Sequence, residues 1–183
     1  MNAEIDITGV VITTDRLTLR PWEYTDLDDL YEYASVDGVG EMAGWAHHKS
    51  KDESKTILGL FIREKKTFAL LYEGKVIGSL GIELYKEADL PELDDKRGRE
   101  IGFVLSKTYW GRGLMTEAVK AVIGYLFDTV GLDFIVCGHF SDNPRSARVQ
   151  QKCGFEYVKD NTYQTTYGEL KPNKINILYR DKQ

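Results

Sequence analysis

An α/β domain, a mixed sheet with helices on both faces, is the fold class this sequence predicts, and three observations predict it. Apolar runs of period two alternate with amphipathic helical stripes from end to end. Residues 99–141 read as a strand–helix–strand crossover, the unit that places two strands in one sheet. No internal repeat and no Pro/Gly/Ser-rich linker divides the 183 residues, so one domain over 1–183 is expected. At that length roughly 70% of the unfolded surface can be buried, and no metal or disulfide staple is required. A chain that is 42% hydrophobic and 29% charged is neither collagenous, low-complexity nor disordered.

Each element has a local cause. RLTLRPW (16–22) alternates as a strand, with Leu17 and Leu19 on one side. Thr25 followed by Asp28 predicts a helix start, and Leu27, Leu30, Tyr31 and Ala34 make its stripe. After a glycine-containing loop, Ser50 and Glu53 form a capping box for a second helix running to about Lys66, with Ile57, Leu58, Phe61 and Ile62 at helical spacing. TFALLYE and KVIGSLGIELY, separated at Gly74, read as a hairpin with Val76, Leu80, Ile82 and Leu84 on one face. Residues 86–98 carry five carboxylates between Glu87 and Asp95 without periodicity, and are expected to be a solvated loop.

REIGFVLS is a short strand. The next helix, from Gly111, aligns Met115, Val119, Val122, Leu126 and Val130 and stops at Gly131. LDFIVCGHFS suits a buried strand, with His139 as a core histidine. DNPRSARVQQKCG gives a last helix opened by Asp142 or Asn143, with Pro144 in its first turn. The tail is strand-rich, with KPNK as its turn.

Charge and cysteines bound the function. With 24 basic and 29 acidic residues the net charge is −5, which disfavours a nucleic-acid binder dependent on many phosphate contacts but allows a local basic patch. Cys137 and Cys153 lie in apolar contexts without metal-ligand or redox spacing and read as reduced core thiols. No metal site is expected. The first residues lack a basic stretch followed by an apolar one, and no apolar run is long enough for a membrane span, so a cytoplasmic protein without a membrane partner is expected.

The most informative motif is Gly111-Arg112-Gly113, opening a helix after a strand. Two glycines permit a tight turn with exposed amides, the helix N-terminus adds about half a positive charge, and Arg112 can add a whole one, which suits a phosphate or pyrophosphate. The ordinary alternative is a turn with no ligand. A Walker loop is excluded because no Lys-Ser or Lys-Thr follows, and a dinucleotide fingerprint has Thr116 at its third glycine.

From Glu100 to Phe155 the separated motifs EIGF, YWGRG with TEA, NPRSARVQQK and KCGF resemble the acetyl-CoA-binding core, about 98–157, of the Gcn5-related N-acetyltransferases (GNAT), in particular the RimJ/RimL branch; TDRLTLRPW resembles that branch's first strand. The resemblance implies a GNAT-like acyl-CoA N-acyltransferase fold with a mostly antiparallel central sheet. It implies acetyl-CoA as co-substrate. Its pyrophosphate would rest on Gly111, Arg112, Gly113, Leu114, Met115 and Thr116, its pantetheine arm against the backbone of Phe103, Val104 and Leu105, and its thiol end beside Asn143 and Ser146. Glu100 matches a glutamate that serves as general base. Met115 stands where the superfamily prefers Gly or Ala. Gln150 stands where many members carry the tyrosine that protonates the leaving thiolate, which leaves Ser146, water or another tyrosine for that task.

The implied reaction is direct attack of a primary amine on the thioester, the acceptor being a protein N-terminal α-amine, ribosomal in the branch's best-known cases, or a small molecule. Freeing the amine at pH 7 costs roughly 1 kcal/mol for an α-amino group and roughly 4–5 for a lysine, so a base matters most for the latter. For Glu100 the ordinary alternative is a surface glutamate paired with Arg99 or Lys107, and for Ser146 a plain first-turn residue. Trp45, His47 and His48 are the substrate-side candidates, although the histidines, as unmatched loop residues, read first as surface residues. A CoA-binding module without efficient catalysis is the rival function, and a homodimer is left open.

Overall fold

The alternating runs pair into one sheet. The computed structural model describes residues 1–182, with strands β1 (Ile12–Thr13), β2 (Leu17–Pro21), β3 (Thr67–Tyr72), β4 (Lys75–Glu83), β5 (Gly98–Leu105), β6 (Phe134–Phe140), β7 (Glu156–Gln164) and β8 (Leu170–Tyr179) in the spatial order β1-β2-β3-β4-β5-β6-β8-β7. Neighbours are antiparallel except β5 and β6, which are parallel. A parallel return needs a long crossover. Helix α3 (Leu114–Gly124), prolonged by the π-helical turn Tyr125–Val130, supplies it, and Gly131 ends it at φ +74°. The other helices are α1 (Leu27–Ala34), α2 (Lys51–Glu64) and α4 (Pro144–Lys152).

The two faces are covered differently. On one, Leu19, Phe68, Leu80, Ile82 and Ile101 pack against Met115, Val119 and Val122 of α3 and Leu126 of the π-helical turn. On the other, α1 and α2 cover Ala69, Val76 and Val104, while Tyr85, Leu90 and Leu93 cover Phe134, Val136, Ile175 and Ile177. The sheet face between these two patches, around Gly81, Glu83, Glu100 and Gly102, borders a cleft.

Four expectations are corrected. A bulge between Leu70 and Leu71 shifts the β3–β4 register, so Val76 faces α1 and α2 while Leu80 and Ile82 face α3; Leu84 lies beyond the strand and is exposed. The acidic segment keeps most of its carboxylates in water, but Leu90 and Leu93, spaced by one 3₁₀ turn, bury against the sheet. KPNK lies inside β8, and the chain reverses at 165–169, where the Thr165 N–H donates to the Glu169 carbonyl at 2.8 Å. Pro172 is tolerated because its missing N–H would point to the side where β6 has ended, the side on which its carbonyl accepts from Ser141. The first helix is capped two residues earlier than Thr25 suggests, through a 3₁₀ turn (Tyr24–Asp26) that leads into α1: Asp26 accepts from the Glu23 N–H at 2.9 Å and from both Arg20 Nη atoms at 2.8 Å. The Ser50 cap is as expected, accepting from the Glu53 N–H at 3.2 Å, and Asn143, not Asp142, caps α4.

Candidate active site

Strands β5 and β6 pair at Gly98–Phe134, Arg99–Ile135 and Glu100–Val136, and then part. Beyond that point Ile101, Phe103, Val104 and Leu105 face Cys137, Gly138, His139 and Phe140 across a cleft of about 1120 Å³. That is at the upper end of the range for small-molecule sites. Separated parallel strands leave backbone groups unpaired along their facing edges, a rail for an extended polar chain. One such group is already used: the Leu105 carbonyl accepts from the Trp110 indole N–H at 2.8 Å.

The cleft runs onto the start of α3. Gly111 and Gly113 hold φ of +77° and +76°, a region that only glycine enters without strain. Gly113 offers no side chain to cap the helix, and the first amides, of Leu114, Met115 and Thr116, stay unpaired among the described residues. Leu114 and Met115 bury their side chains in the core, so their contribution there is backbone. Gly111, Gly113, Leu114, Met115 and Thr116 all line the cleft. Arg112 does not. Its guanidinium lies over the rings of Tyr72 and Tyr109 and donates to the Tyr72 hydroxyl at 2.9 Å, because a cation over aromatic faces is already well placed in the absence of an anion. Arg16, which sequence reasoning did not single out, donates to the Arg112 carbonyl at 3.0 Å and pairs with Glu117 at 2.7 Å. Arg145, stacked 4.1 Å above Trp110, lines the cleft with Arg148 and Lys152.

Glu100 sits where the strands part. Its carboxyl oxygen comes within 3.5 Å of where a side chain on Gly138 would begin, so it reaches over the split. It has no ion-pair or hydrogen-bond partner among the described residues. Arg99 points away and donates to the Ala3 carbonyl at 2.5 Å, and Lys107 lies over Trp110, so the ordinary pairing does not form. Burial, then the charges of Glu83 and Asp89, push the Glu100 carboxyl up to about 7. Gly102, two residues on, leaves open space beside it.

Ser146 and Asn143 also line the cleft, but Asn143 is committed: its Oδ1 accepts from the Ser146 N–H at 3.2 Å and its Nδ2 donates to the Met42 carbonyl at 3.3 Å, tying the 41–43 turn to α4. Gln150 is buried and lies outside the cleft lining, so it does not take over the tyrosine's task directly. Its amide donates to the Gly138 carbonyl at 2.9 Å and to Ser146 Oγ at 3.2 Å. With its oxygen accepting there, the Ser146 hydroxyl keeps its own hydrogen to donate elsewhere.

Of the substrate-side candidates, Trp45 and His48 line the cleft and His47 does not. His48 is buried, with Nδ1 2.7 Å from Ser54 Oγ, and burial holds it below the ordinary histidine value, so it is neutral at pH 7. His47 instead staples its own loop: Nδ1 lies 2.8 Å from Glu41, which also accepts from the backbone N–H groups of His47 and Gly38. Asp37 approaches the same ring at 3.7 Å. Burial raises the Glu41 carboxyl, but these donors prevail and hold it at about 2. His139 is a cleft residue, not a core one; its Nδ1 donates to the Phe140 carbonyl at 3.0 Å.

Sequence reasoning missed Glu83, Tyr163 and Tyr167, all of which line the cleft. Glu83 becomes legible only once the β4–β5 register is known, and the tyrosines only once the β7–β8 turn is placed. No described helix is long and apolar enough to cross a membrane.

Comparison with known proteins gives the family and the fold. Residues 16–156 match the family model described as the acetyltransferase (GNAT) domain. The chain is 29% identical over 153 residues to the uncharacterized N-acetyltransferase YoaA of Bacillus subtilis (strain 168), covering 80% of this chain and 82% of that one. Its fold is similar to that of the GNAT-family acetyltransferase from Bacillus anthracis (TM-score 0.81, 19% identity, 94% of this chain and 99% of that one). It is also similar to the microcin C7 self-immunity acetyltransferase MccE, solved with acetyl-CoA and AMP (TM-score 0.75, 17% identity, 91% and 93%).

Proposed function

The chain belongs to the GNAT acetyltransferase family and is an N-acetyltransferase, and from that premise we propose that it carries an acetyl group from acetyl-CoA to a primary amine, either a protein N-terminal α-amine or a small-molecule amine. One observation carries the reading: the split between β5 and β6 opens onto the uncapped start of α3 while the unpaired Glu100 carboxyl hangs over the same split.

The residues suit the donor. The amides of Leu114, Met115 and Thr116 would hold a pyrophosphate, with Arg112 free to swing from its two tyrosines and Arg16 close by. The parted edge at Phe103 would take the pantetheine amides, with the Leu105 carbonyl already engaged and the Val104 backbone turned toward β4. Bound there, the thioester supplies an activated acyl carbon and a thiolate leaving group.

Glu100 takes the proton that the amine must lose, and a carboxyl pushed up to about 7 is matched to that task near neutral pH. Ser146, its oxygen occupied by Gln150, directs its hydrogen toward the leaving sulfur. Charge divides along the cleft, with Arg145, Arg148 and Lys152 on α4 and Glu53, Glu83 and Glu100 among the remaining lining groups, which suits an anionic donor and a cationic acceptor.

Incubation with acetyl-CoA and a panel of amines, read as thiol release, tests the reading. Glu100→Gln should lower the turnover number more than tenfold while the affinity for CoA stays within twofold. Tight CoA binding with no turnover of any amine by the unaltered protein would instead make it a CoA-binding module.

A further inference from the structure

In the β4–β5 ladder Gly81 lies directly opposite Gly102, and the next pair on the same face is Glu83 opposite Glu100. The two glycines leave a window in the side-chain layer, and the two carboxylates border it. All four residues line the cleft. A like-charged pair directly across two strands is destabilising, so its presence calls for a compensating partner. Only one carboxylate has a cation: Lys66 Nζ lies 2.6 Å from Glu83, which folds back so that its Oε1 comes within 2.8 Å of where a Gly81 side chain would begin. Glu100 has none.

We propose that Glu83, held by Lys66, is a positioning residue, the second carboxylate of a cradle that receives the acceptor as its ammonium ion and directs one proton to Glu100. This rests on the reading of Glu100 as the base. The step balances: R–NH₃⁺ and the Glu100 carboxylate become R–NH₂ and the Glu100 carboxylic acid, the nitrogen keeping the electron pair it then uses on the acyl carbon. Glu83, bridged to Lys66, exchanges no proton in this step.

The other charged or titratable groups facing Glu100 fit this division. Asp89, from the segment after β4, has its carboxylate on Asn161 and Lys86. From β6 come the buried Cys137 thiol and His139, and from β7 Tyr163. Tyr163 lines the same cleft, and burial and then the charges of Glu100 and Glu83 raise its hydroxyl, which keeps it protonated near neutral pH. The ammonium form of the acceptor is therefore the one cation missing from the window.

The test pairs Glu83→Gln, which keeps the shape, with Lys66→Met, which removes the counter-cation. Carbon-13 NMR of the glutamate carboxyls, with the Glu100 signal assigned from Glu100→Gln, should show Glu100 titrating at least 0.5 pH unit lower in Glu83→Gln and higher in Lys66→Met, with the acidic limb of the kcat/KM profile moving in step. For an aliphatic amine that is cationic at the assay pH, Glu83→Gln should lower kcat/KM at least tenfold. For an aromatic amine that is neutral there, the loss should stay under threefold, and the Kd for CoA should hold within twofold. A Glu100 titration that does not move, or an equal loss for both acceptors, overturns the proposal. A titration that shifts while the kcat/KM profile stays still supports the pairing and removes Glu100 as the base, so the two failures are told apart.

Discussion

A carboxyl that binds its proton near neutrality leaves a mark on folding as well as on catalysis. Glu100 titrates at about 7 in the folded chain, above its ordinary 4.5. Its contribution to stability is therefore fully present below about pH 4.5 and is lost as the pH rises through 7, where a partly buried negative charge must be kept near Glu83. Glu100→Gln, neutral at every pH, should match the unaltered protein in urea unfolding at pH 4 and exceed it by roughly 1–3 kcal/mol at pH 8. Equal stability at both pH values would show that the carboxyl is solvated. The residue itself was legible from EIGF, but its lack of a partner was not. Arg99 and Lys107 are near in sequence, yet strand alternation turns Arg99 to the opposite face, where it meets Ala3, and Lys107 leaves the strand to lie over Trp110.

At the scale of elements, the start of α3 and the glycine window make opposite demands on glycine. Gly113 sits at φ +76° with its nearest neighbour, Arg16, 3.6 Å from where a Cβ would be, so backbone conformation and not space excludes a side chain. Gly113→Ala should cost about 1 kcal/mol in thermal unfolding and weaken CoA binding, since relieving the strain turns the amides away. Gly102 has ordinary φ and open space, so Gly102→Ala should leave stability within about 0.5 kcal/mol while raising the KM for the acceptor. A Gly102→Ala variant with unchanged KM would place the acceptor elsewhere. The Gly-X-Gly motif announced its helix start because one local conformation suffices. The β4 face was misread because a bulge, invisible in composition, reverses which side Val76 takes.

Across the whole molecule, the cleft exists because a parallel pair is closed at one end and open at the other. Phe134 secures the closed end. Its ring is fully buried, lies against Gly98, where a Cβ would come within 2.2 Å, and meets Tyr85 edge-on at 5.2 Å. Phe134→Ala should cost roughly 3–5 kcal/mol in chemical denaturation and weaken CoA binding, because the cavity loosens the hinge of the split. A large loss of stability with unaltered CoA affinity would show that the open ends hold their spacing without it. The net charge of −5 likewise says little until it is placed: cations on α4 and carboxylates around the glycine window share one cleft.

The sequence by itself determined the helices, the Ser50 cap, the glycine turn before α3 and the family resemblance, since each motif depends on residues within a few positions of one another, where hydrogen bonding and periodicity act directly. Only the tertiary structure decided which strands part, that Glu83 stands opposite Glu100, that His47 serves its own loop while His48 meets the cleft, and that Gln150 engages the oxygen of Ser146. Those depend on strand register and on packing between residues far apart in the chain, and a one-residue change in register would exchange the faces of every side chain involved.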